Sequence, residues 1–341
     1  MPPRNFRPGI VTPLSGPADW RPSCAPEALR LRAGLLARMR AFFEARGVLE
    51  VDTPALSRAA VTDPALASFA VDWHGPEPGR LWLQTSPEYA MKRLLAAGSG
   101  PIWQLAKVFR DGEAGRRHNP EFSLLEWYRP GFDHHALMDE VIDLVSELLA
   151  GRRALAEPER IRYQDAFLQH AGIDPFAADV PALRVACTRH ALVPPPGMPE
   201  AQVEPWLDLL LSHVIEPRLG CGRLSFLYDY PPAQAALACI RRDETPAVGS
   251  RFELYLDGVE LANGFHELGD AGEQRARFEA DNRARVRAAL PVMPIDEALL
   301  AALASGLPAC AGVALGFDRL LMLAANAGGL DAVLAFPVDR A

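Results

Sequence analysis

Hydrophobic residues recur at helical spacing in the segment that begins at Pro26. In "PEALRLRAGLLARMRAFFEARG" the apolar positions fall on one face, and Gly47 follows them as a stop signal. This pattern predicts an amphipathic helix of about five turns. The next segment, "VLEVDTPAL", alternates like a strand, and Pro54 confines that strand to a sheet edge or a strand end.

The middle of the chain contains strand-like segments. "RLWLQTSPEYAMKRLLAAG" predicts a strand, a cap at Ser86, and a helix that starts near Pro87 and Glu88. "PIWQLAKVFRDG" and "FSLLEWYRP" predict two strands, and the charged loop between them is short enough to favour an antiparallel hairpin. "RLSFLYDY", "SRFELYLDG" and "VELANGFHEL" predict three more strands, the last two joined by a turn at Asp257 and Gly258.

Helical patterns lie around these strands. They cover 135–149, "YQDAFLQHAG", "VEPWLDLLLSHVI", 271–289, 295–305 and, after the strand "AGVALG", the segment "FDRLLMLAANAG". Strands in the middle with helices outside predict an α+β domain, an antiparallel β-sheet flanked by helices. We expect a Pro- and Gly-rich N-terminal arm at 1–25 and one domain at 26–341, with a Pro-rich insertion at about 173–222.

Composition narrows the class of protein. The chain has 341 residues, of which 49% are hydrophobic and 23% charged, so it can bury a large core. Its net charge of −8 argues against electrostatic binding of nucleic acid over a broad surface. Five cysteines without C-x-x-C spacing predict reduced, mostly buried thiols. The sequence shows neither a signal peptide nor a membrane span, so we expect a cytoplasmic protein without a membrane partner.

The common nucleotide and hydrolase motifs are absent, including G-x-x-x-x-G-K-[ST], G-x-G-x-x-G, G-x-S-x-G and H-E-x-x-H. A phosphate site would therefore depend on arginine, whose guanidinium binds phosphate oxygens bidentately and stays charged when partly desolvated. The candidates are Arg110 at a strand end, Arg116 and Arg117 in the charged loop, and Arg319 beside a helix start. The alternative for the charged loop is an ordinary solvated surface.

Three segments resemble the motifs of a known enzyme superfamily. "FRDGEAGRRHNPEFSLLEWYRP" at 109–130 resembles motif 2 of the class II aminoacyl-tRNA synthetases, in the lysyl branch. "AGVALGFDRLLML" resembles motif 3, and the helix from Pro26 through "EVDTPAL" resembles motif 1, which builds the dimer interface in that superfamily. The three segments occur in the same order as the motifs of that superfamily, and together they span nearly the whole chain. It implies the class II synthetase catalytic fold and a homodimer.

Four stretches, "TSPEYAMKRLLAAG", "HNPEFSLLEWYRP", "GVELANGFHEL" and the terminal "FPVDRA", look like the free-standing lysyl-tRNA synthetase paralogues that attach (R)-β-lysine to translation elongation factor P. Lysyl-tRNA synthetases carry an anticodon-binding barrel before motif 1, and since about 25 residues precede it here, we expect no barrel. The resemblance implies an ATP-dependent ligase that activates (R)-β-lysine or lysine as an adenylate and passes it to elongation factor P. The alternatives are a tRNA-directed relative, which the acidic balance disfavours, and a regulatory paralogue without chemistry, which the retained Arg110 and Arg319 disfavour.

The same resemblance implies roles for the nucleotide-binding residues. Arg110 should bind the α-phosphate of ATP and Arg319 the γ-phosphate, which makes both catalytic. Glu260 and Glu267 match positions that hold Mg2+, although a seven-residue separation puts them on opposite strand faces unless Gly264 allows a bulge. The other implied ATP contacts are Asp111, Gly112, His118, Asn119, Phe122 as a stacking surface, Leu261 and Gly316. The alternatives are a solvated Glu260 and a core-packed Phe122.

The amino-acid pocket should be acidic, because a lysine isomer carries two amines. The resemblance implies substrate contacts by Ser86, Pro87, Glu88, Glu126, Tyr128, Asn263, Glu267 and Ala314. Glu126 and Tyr128 are two residues apart on one strand face, so both can meet one ammonium group. Three buried carboxylates without a cation would be costly, which predicts a diamine ligand.

Two positions depart from the lysyl pattern. The family usually reads R-x-E where this chain has Arg110, Asp111 and Gly112, so either Glu113 takes that role or the contact to the adenine amino group is lost. Lysyl-tRNA synthetases usually have Gly where this chain has Ala314. A methyl group there would reshape the pocket floor near the α-carbon, and we predict that it disfavours α-lysine relative to β-lysine.

Overall fold

The computed structural model describes residues 20–341. Most of the arm predicted at 1–25 therefore lies outside the described residues. Residues 20–25 have no regular structure, and they contact the C-terminal segment where the Ser23 backbone N–H donates to the Ala335 carbonyl at 2.8 Å.

Nine α-helices and twelve β-strands form within residues 20–341. The helices are α1 (Pro26–Ala45), α2 (Glu88–Ala96), α3 (His134–Leu149), α4 (Tyr163–Ala166), α5 (Val180–Arg189), α6 (Glu204–Leu210), α7 (Ala271–Arg287), α8 (Glu297–Gly306) and α9 (Phe317–Ala324). The strands are β1 (Leu49–Glu50), β2 (Leu56–Ser57), β3 (Ala70–Trp73), β4 (Gly79–Leu83), β5 (Ile102–Phe109), β6 (Glu121–Pro130), β7 (Ala156–Arg162), β8 (Arg223–Tyr230), β9 (Ile240–Arg241), β10 (Val248–Leu256), β11 (Val259–His266) and β12 (Cys310–Gly316).

A nine-stranded sheet organises the fold. Its order is β1-β5-β6-β12-β11-β10-β8-β7, with β9 paired to β10, and every pairing is antiparallel except β1 with β5 and β7 with β8. A second, three-stranded antiparallel sheet has the order β2-β4-β3. The prediction of an α+β fold built on an antiparallel sheet is confirmed.

The predicted hairpins are present. Strands β5 and β6 pair from Ile102 opposite Tyr128 to Phe109 opposite Glu121, and the charged loop connects them. The turn between β10 and β11 places Asp257 at φ 51° and Gly258 at φ 65°, as a tight Asp-Gly hairpin turn requires. The segment "VLEVDTPAL" departs from the prediction of one strand, since only β1 and β2 pair within it.

One face of the large sheet carries the main core. Helices α1, α3 and α9 pack there, and their apolar residues meet Leu125 and Trp127 of β6 and Val313 and Leu315 of β12. The Phe43 and Trp103 rings stack with centroids 4.9 Å apart. Because side chains alternate along a strand, Gly312, Ala314 and Gly316 face the other side of the sheet.

A helical layer covers the β7–β8 end of the sheet. Its buried residues come from α4, α5, α6 and two π-helical turns, Phe167–Ala171 and Leu211–Ile215, and they pack on Leu227, Tyr230 and Tyr255. The insertion predicted at about 173–222 falls in this layer. Helix α5 was not predicted, although Asp179 caps it by accepting from the Ala182 backbone N–H.

The structure also bears on the expectations for the cysteines and for a membrane span. The five cysteines are all free, with Cys24, Cys187 and Cys310 buried, Cys239 half-buried and Cys221 exposed. Between residues 20 and 341, every helix is too short or too polar to traverse a lipid bilayer.

Candidate active site

A cavity of about 1810 Å³ opens on the sheet face opposite the main core. The segment before α2, the β5–β6 hairpin, β11, β12 and the start of α9 contribute to its walls. The predicted site residues that line it are Ser86, Pro87, Glu88, Arg110, His118, Asn119, Phe122, Glu260, Leu261, Asn263, Ala314, Gly316 and Arg319. The other predicted residues do not line it: Asp111 and Gly112 are exposed in the hairpin loop, while Glu126, Tyr128 and Glu267 are buried.

The two arginines expected to bind phosphate lie in this one cavity. The Arg110 guanidinium lies 5.0 Å from the Phe122 ring centroid, and its Nε donates to the Thr85 carbonyl at 3.5 Å. In Arg319, Nη1 donates to the Glu260 carbonyl at 2.8 Å and lies 3.3 Å from the Glu260 carboxylate. Both guanidinium groups therefore line one cavity, and their contacts with phosphate stay a prediction.

Arg319 also fixes the state of His118. Its Nη2 lies 2.8 Å from the His118 Nε2, and because a guanidinium only donates, that nitrogen must accept. Desolvation and the positive charges of Arg319, Arg110 and Arg117 lower the pKa of His118, against a weaker opposing effect of Glu113. His118 is thus a neutral acceptor beside the arginine rather than a second cation.

Asp318 is a buried anchor that sequence reasoning missed. Only 2% of Asp318 is exposed, and its carboxylate accepts from the Ser123 backbone N–H at 2.7 Å and from the Arg32 Nη1 at 2.5 Å. The Arg32 Nη2 also donates to the Ser123 hydroxyl at 2.6 Å. Helices α1 and α9 and strand β6 are joined at this point, one residue before Arg319.

The loop after Arg110 places Glu113, rather than Asp111, at the cavity. Glu113 lines the cavity with a carboxylate oxygen 3.7 Å from the Arg110 Nη1. Asp111 is exposed, and its backbone N–H donates to the Ala67 carbonyl at 2.8 Å. Gly112 between them has a φ of 80°, which favours glycine. This geometry supports the alternative in which Glu113 supplies the carboxylate of the usual R-x-E motif.

Asn119 and Phe122 have structural partners in addition to their places on the cavity wall. The Asn119 amide donates to the Glu121 carbonyl at 2.6 Å and accepts from the Val338 backbone N–H at 3.0 Å, so it holds the C-terminal segment. Phe122 packs against a small cluster of Ala106, Val108 and Leu124. One side of its ring thus contacts the sheet, and the Arg110 guanidinium lies over the ring.

The two acidic residues expected to hold Mg2+ have different partners. Glu260 lies beside Arg319, whereas an oxygen of Glu267 lies 2.6 Å from the Lys92 ammonium. A bulge does interrupt β11, but it is at Leu261, between the pairs Leu254–Ala262 and Tyr255–Glu260. The expectation of a bulge at Gly264 was wrong.

Gly264 instead permits close packing. It pairs regularly with Phe252 on one side and with Val313 on the other. A Cβ at this position would lie 2.3 Å from the Phe252 Cζ, so glycine is needed because the ring approaches the backbone.

Glu253 on β10 is a second carboxylate near Glu260. It is 7% exposed, pairs with Arg251 and accepts from the Tyr255 hydroxyl. Desolvation and Glu253 raise the pKa of Glu260, while Arg319 and Arg110 lower it. Carboxylate oxygens here could hold Mg2+ jointly with phosphate oxygens. Within residues 20–341, no three His, Cys, Asp or Glu side chains are arranged as a ready metal-binding group.

Glu126 lies in a buried hydrogen-bond network. Its carboxylate accepts from the Ser86 hydroxyl at 2.7 Å and from the Tyr128 hydroxyl at 2.6 Å. The Ser86 oxygen in turn accepts from the Glu88 backbone N–H at 3.0 Å, at the start of α2. Burial raises the pKa of Glu126 to about 8, and the negative charge of Glu88 adds to this, while the two hydroxyl groups oppose it.

Lys92 is a buried cation at this end of the site that sequence reasoning did not identify. Its ammonium lies 2.7 Å from the Glu88 Oε1 and 2.6 Å from the Glu267 Oε2, and the residue is 1% exposed. Although burial lowers the pKa of Lys92, Glu267 and Glu88 outweigh it and hold the pKa above its usual value. Lys92 therefore offsets part of the cost of burying these carboxylates before any ligand binds.

Gly312 and Ala314 form the strand beneath this end of the site. A Cβ on Gly312 would lie 2.3 Å from the Tyr128 Cε1 and 2.5 Å from the Glu267 Oε1, so glycine is needed for those side chains to meet over β12. Ala314 pairs with Asn263 on one side and Glu126 on the other, and it lines the cavity. Its methyl group thus lies between two of the predicted substrate contacts.

Comparison with known proteins agrees with this geometry. The sequence profile of the class II tRNA synthetases (D, K and N) matches residues 18–340. The elongation factor P–(R)-β-lysine ligase of Edwardsiella ictaluri (strain 93-146) is 50% identical over 331 residues, which cover 96% of this chain and 100% of that protein. The ligases of the same name from Vibrio vulnificus (strain YJ016) and Salmonella typhi are 51% and 50% identical, over 94% and 96% of this chain and 98% and 100% of their own lengths.

The family match covers each segment that forms the site, from α1 with Arg32, through the hairpin with Arg110, to α9 with Arg319. The relatives match over almost their entire lengths, so the similarity is not confined to one shared motif. The chain belongs to the class II tRNA synthetase family.

Proposed function

We propose that this protein is an ATP-dependent ligase that activates (R)-β-lysine, or lysine, as an aminoacyl-adenylate and transfers it to a lysine side chain of elongation factor P. The observation that carries the proposal is the position of Arg110 and Arg319 in one cavity, with the Glu88, Glu126 and Glu267 carboxylates at its side. The names of the full-length relatives support the choice of substrates.

The nucleotide end of the cavity fits a triphosphate bound by arginine. Arg110 would bind the α-phosphate, where negative charge develops as the substrate carboxylate attacks, and Arg319 would bind the γ-phosphate. Arg319 contacts Glu260 in the structure, so phosphate oxygens would compete with Glu260 for the guanidinium. Glu260 would then be available to Mg2+, which commonly combines one or two carboxylates with substrate phosphates.

The acidic end fits the two amines of the amino acid. One ammonium group would lie near Glu126 and Tyr128, and the other near Glu88 and Glu267, with the substrate carboxylate directed towards Arg110. In the first step a carboxylate oxygen bonds to the α-phosphorus and pyrophosphate leaves. In the second step the neutral amine of the acceptor lysine attacks the acyl carbon and AMP leaves, which forms an amide.

Two parts of the proposal concern partners. The acceptor is a protein amine rather than tRNA. A homodimer formed through the α1 region is expected by analogy with motif 1 of the superfamily. Size-exclusion chromatography with light scattering measures the second point independently of activity.

Mass spectrometry tests the main proposal. Purified elongation factor P is incubated with the protein, ATP, Mg2+ and either (R)-β-lysine or lysine, and the intact mass of the factor is measured. We expect a gain of one lysyl unit on the factor and no aminoacylation of tRNA. The matched control is the factor with its acceptor lysine replaced by arginine. Charging of tRNA with an unmodified factor would favour the tRNA-directed alternative, and no adenylate with any lysine isomer would favour the non-catalytic one.

A further inference from the structure

Lys92 is a buried charged group to which the reaction steps above give no role. The chain contains only two lysines, Lys92 and Lys107, among its 35 basic residues. Lys107 is an ordinary surface residue, with a side chain 54% exposed and an ion pair to Glu121 at 3.1 Å. Lys92 is buried at the acidic end of the site instead, where its compact ammonium, which has three donors, lies between two carboxylates.

The contacts of Lys92 leave one oxygen of each neighbouring carboxylate free of it. The ammonium contacts Oε1 of Glu88 and Oε2 of Glu267. The other oxygen of Glu267, Oε1, lies over Gly312 beside the Tyr128 ring. Lys92 therefore fixes the direction of Glu267 and anchors Glu88 to the first two turns of α2, where the two residues are four positions apart.

The net charge at this end of the site, with Lys92 included, indicates which kind of ligand it can bind. Glu88, Glu126 and Glu267 carry up to three negative charges, and Lys92 offsets one of them. When all three carboxylates are ionised, two negative charges are therefore left uncompensated at this end of the site. A buried excess charge in either direction is costly, so a ligand with two ammonium groups at this end matches the pocket better than one with a single group.

We propose that Lys92 is a positioning residue that determines substrate specificity, because it orients Glu88 and Glu267 and leaves a pocket charge that two ammonium groups balance. This inference rests on the proposed function and adds a residue to it. The substrate class that it selects is a diamino carboxylic acid. Lys92 acts through the two carboxylates and does not touch the reacting atoms.

A double-mutant cycle in lysine-dependent pyrophosphate exchange tests this inference. The variants are Lys92→Met, Glu88→Gln and the double variant, which has the same pocket charge as the wild type. Lys92→Met should raise the KM for the diamino acid by about tenfold or more, while kcat and the KM for ATP change by less than about threefold. The double variant should raise the KM for the diamino acid no more than the larger of the two single changes. Lys107→Met is the matched control and should leave both KM values within about twofold.

The remaining outcomes would each contradict this inference, the proposed function, or both. A parallel rise in both KM values, or single effects that multiply in the double variant, would assign Lys92 to stability alone and overturn the inference. If Lys92→Met does not fold, the double variant decides: a KM for the diamino acid about tenfold above that of Glu88→Gln overturns the inference. A wild-type protein without exchange overturns the proposed function and this inference with it. An active wild type with an unchanged Lys92→Met overturns this inference alone.

Discussion

The Arg32 guanidinium donates to the Asp318 carboxylate across 286 positions of sequence, and this contact joins α1 to α9. Asp318 is 2% exposed, whereas the Arg32 side chain is 22% exposed. Arg319 follows Asp318 directly, so the same contact that stabilises the fold also holds the start of the helix that carries a phosphate-binding arginine.

Removing the charge of Asp318 should destabilise the protein. Asp318→Asn leaves Arg32 without its anionic partner, and breaking a largely buried ion pair costs about 3 kcal/mol. Urea unfolding followed by circular dichroism measures the loss. The control is Glu27→Gln, which breaks the exposed pair with Arg30 and should cost less than about 0.5 kcal/mol. Equal losses in the two variants would contradict a structural role for Asp318.

Arg110→Ala and Arg319→Ala should each abolish adenylate formation in a folded protein. Each variant removes a guanidinium from a place where phosphate charge develops, and loss of one such donor lowers a rate by about 10²- to 10³-fold. Pyrophosphate exchange measures this step without the acceptor protein. Arg275→Ala, which breaks the exposed pair with Glu297, is the control and should keep full activity. Activity retained in either site variant would remove that arginine from the mechanism.

Ala314→Gly should change the choice between lysine isomers. The methyl group lies on the cavity floor between Asn263 and Glu126, and its loss should favour α-lysine relative to (R)-β-lysine. The measurement is the ratio of kcat/KM for the two isomers in pyrophosphate exchange. Ala311→Gly is the matched control, because Ala311 lies in the main core and should change stability without changing the ratio. An unchanged ratio in Ala314→Gly would show that the methyl group does not select the isomer.

Binding of the diamino acid should depend on pH through Glu126. Burial raises the pKa of this carboxyl to about 8, so in the free pocket it is mostly neutral at pH 6 and ionised above pH 8. An ammonium group requires the ionised form, so binding at neutral pH releases a proton. We expect the KM for the diamino acid to fall as the pH rises from 6 to 8.

Calorimetry in two buffers of different ionisation enthalpy measures that proton release directly. Burial also raises the pKa of Glu267 to about 7, so Glu126→Gln should reduce, rather than abolish, the proton release and the fall in KM across this range. A wild-type KM that does not vary between pH 6 and 8 would show that Glu126 is already ionised in the free pocket.

Local chemistry in the sequence predicted much of the sheet. The Asp257-Gly258 turn and the hairpin with Arg110 depend on residues close in sequence, so their patterns are readable before the strand order is known. The bulge at Leu261 was not readable, because it depends on how β11 pairs with β10. Asp318 was missed for a related reason, since its burial arises only where α1, β6 and α9 meet.

The role of Lys92 could be predicted only in part from the sequence. Glu88 and Lys92 stand four apart in a predicted helix, a spacing that favours an ion pair, and lysine is rare in this chain. Those signals predict the pair but not its burial. The approach of Glu267 from the end of β11 turns an ordinary helix pair into a charged cluster, and it depends on the tertiary fold.

Any substitution of Gly312 should disturb the end of the site that is proposed to bind the amines. Because any side chain there would collide with Tyr128 and Glu267, replacement even by alanine forces one of those groups to move. Descendants of this gene that acquire a larger residue at position 312 should lose the ability to accommodate a diamine before they lose the fold. That single position could serve as a marker for separating paralogues that keep this substrate class from those that have left it.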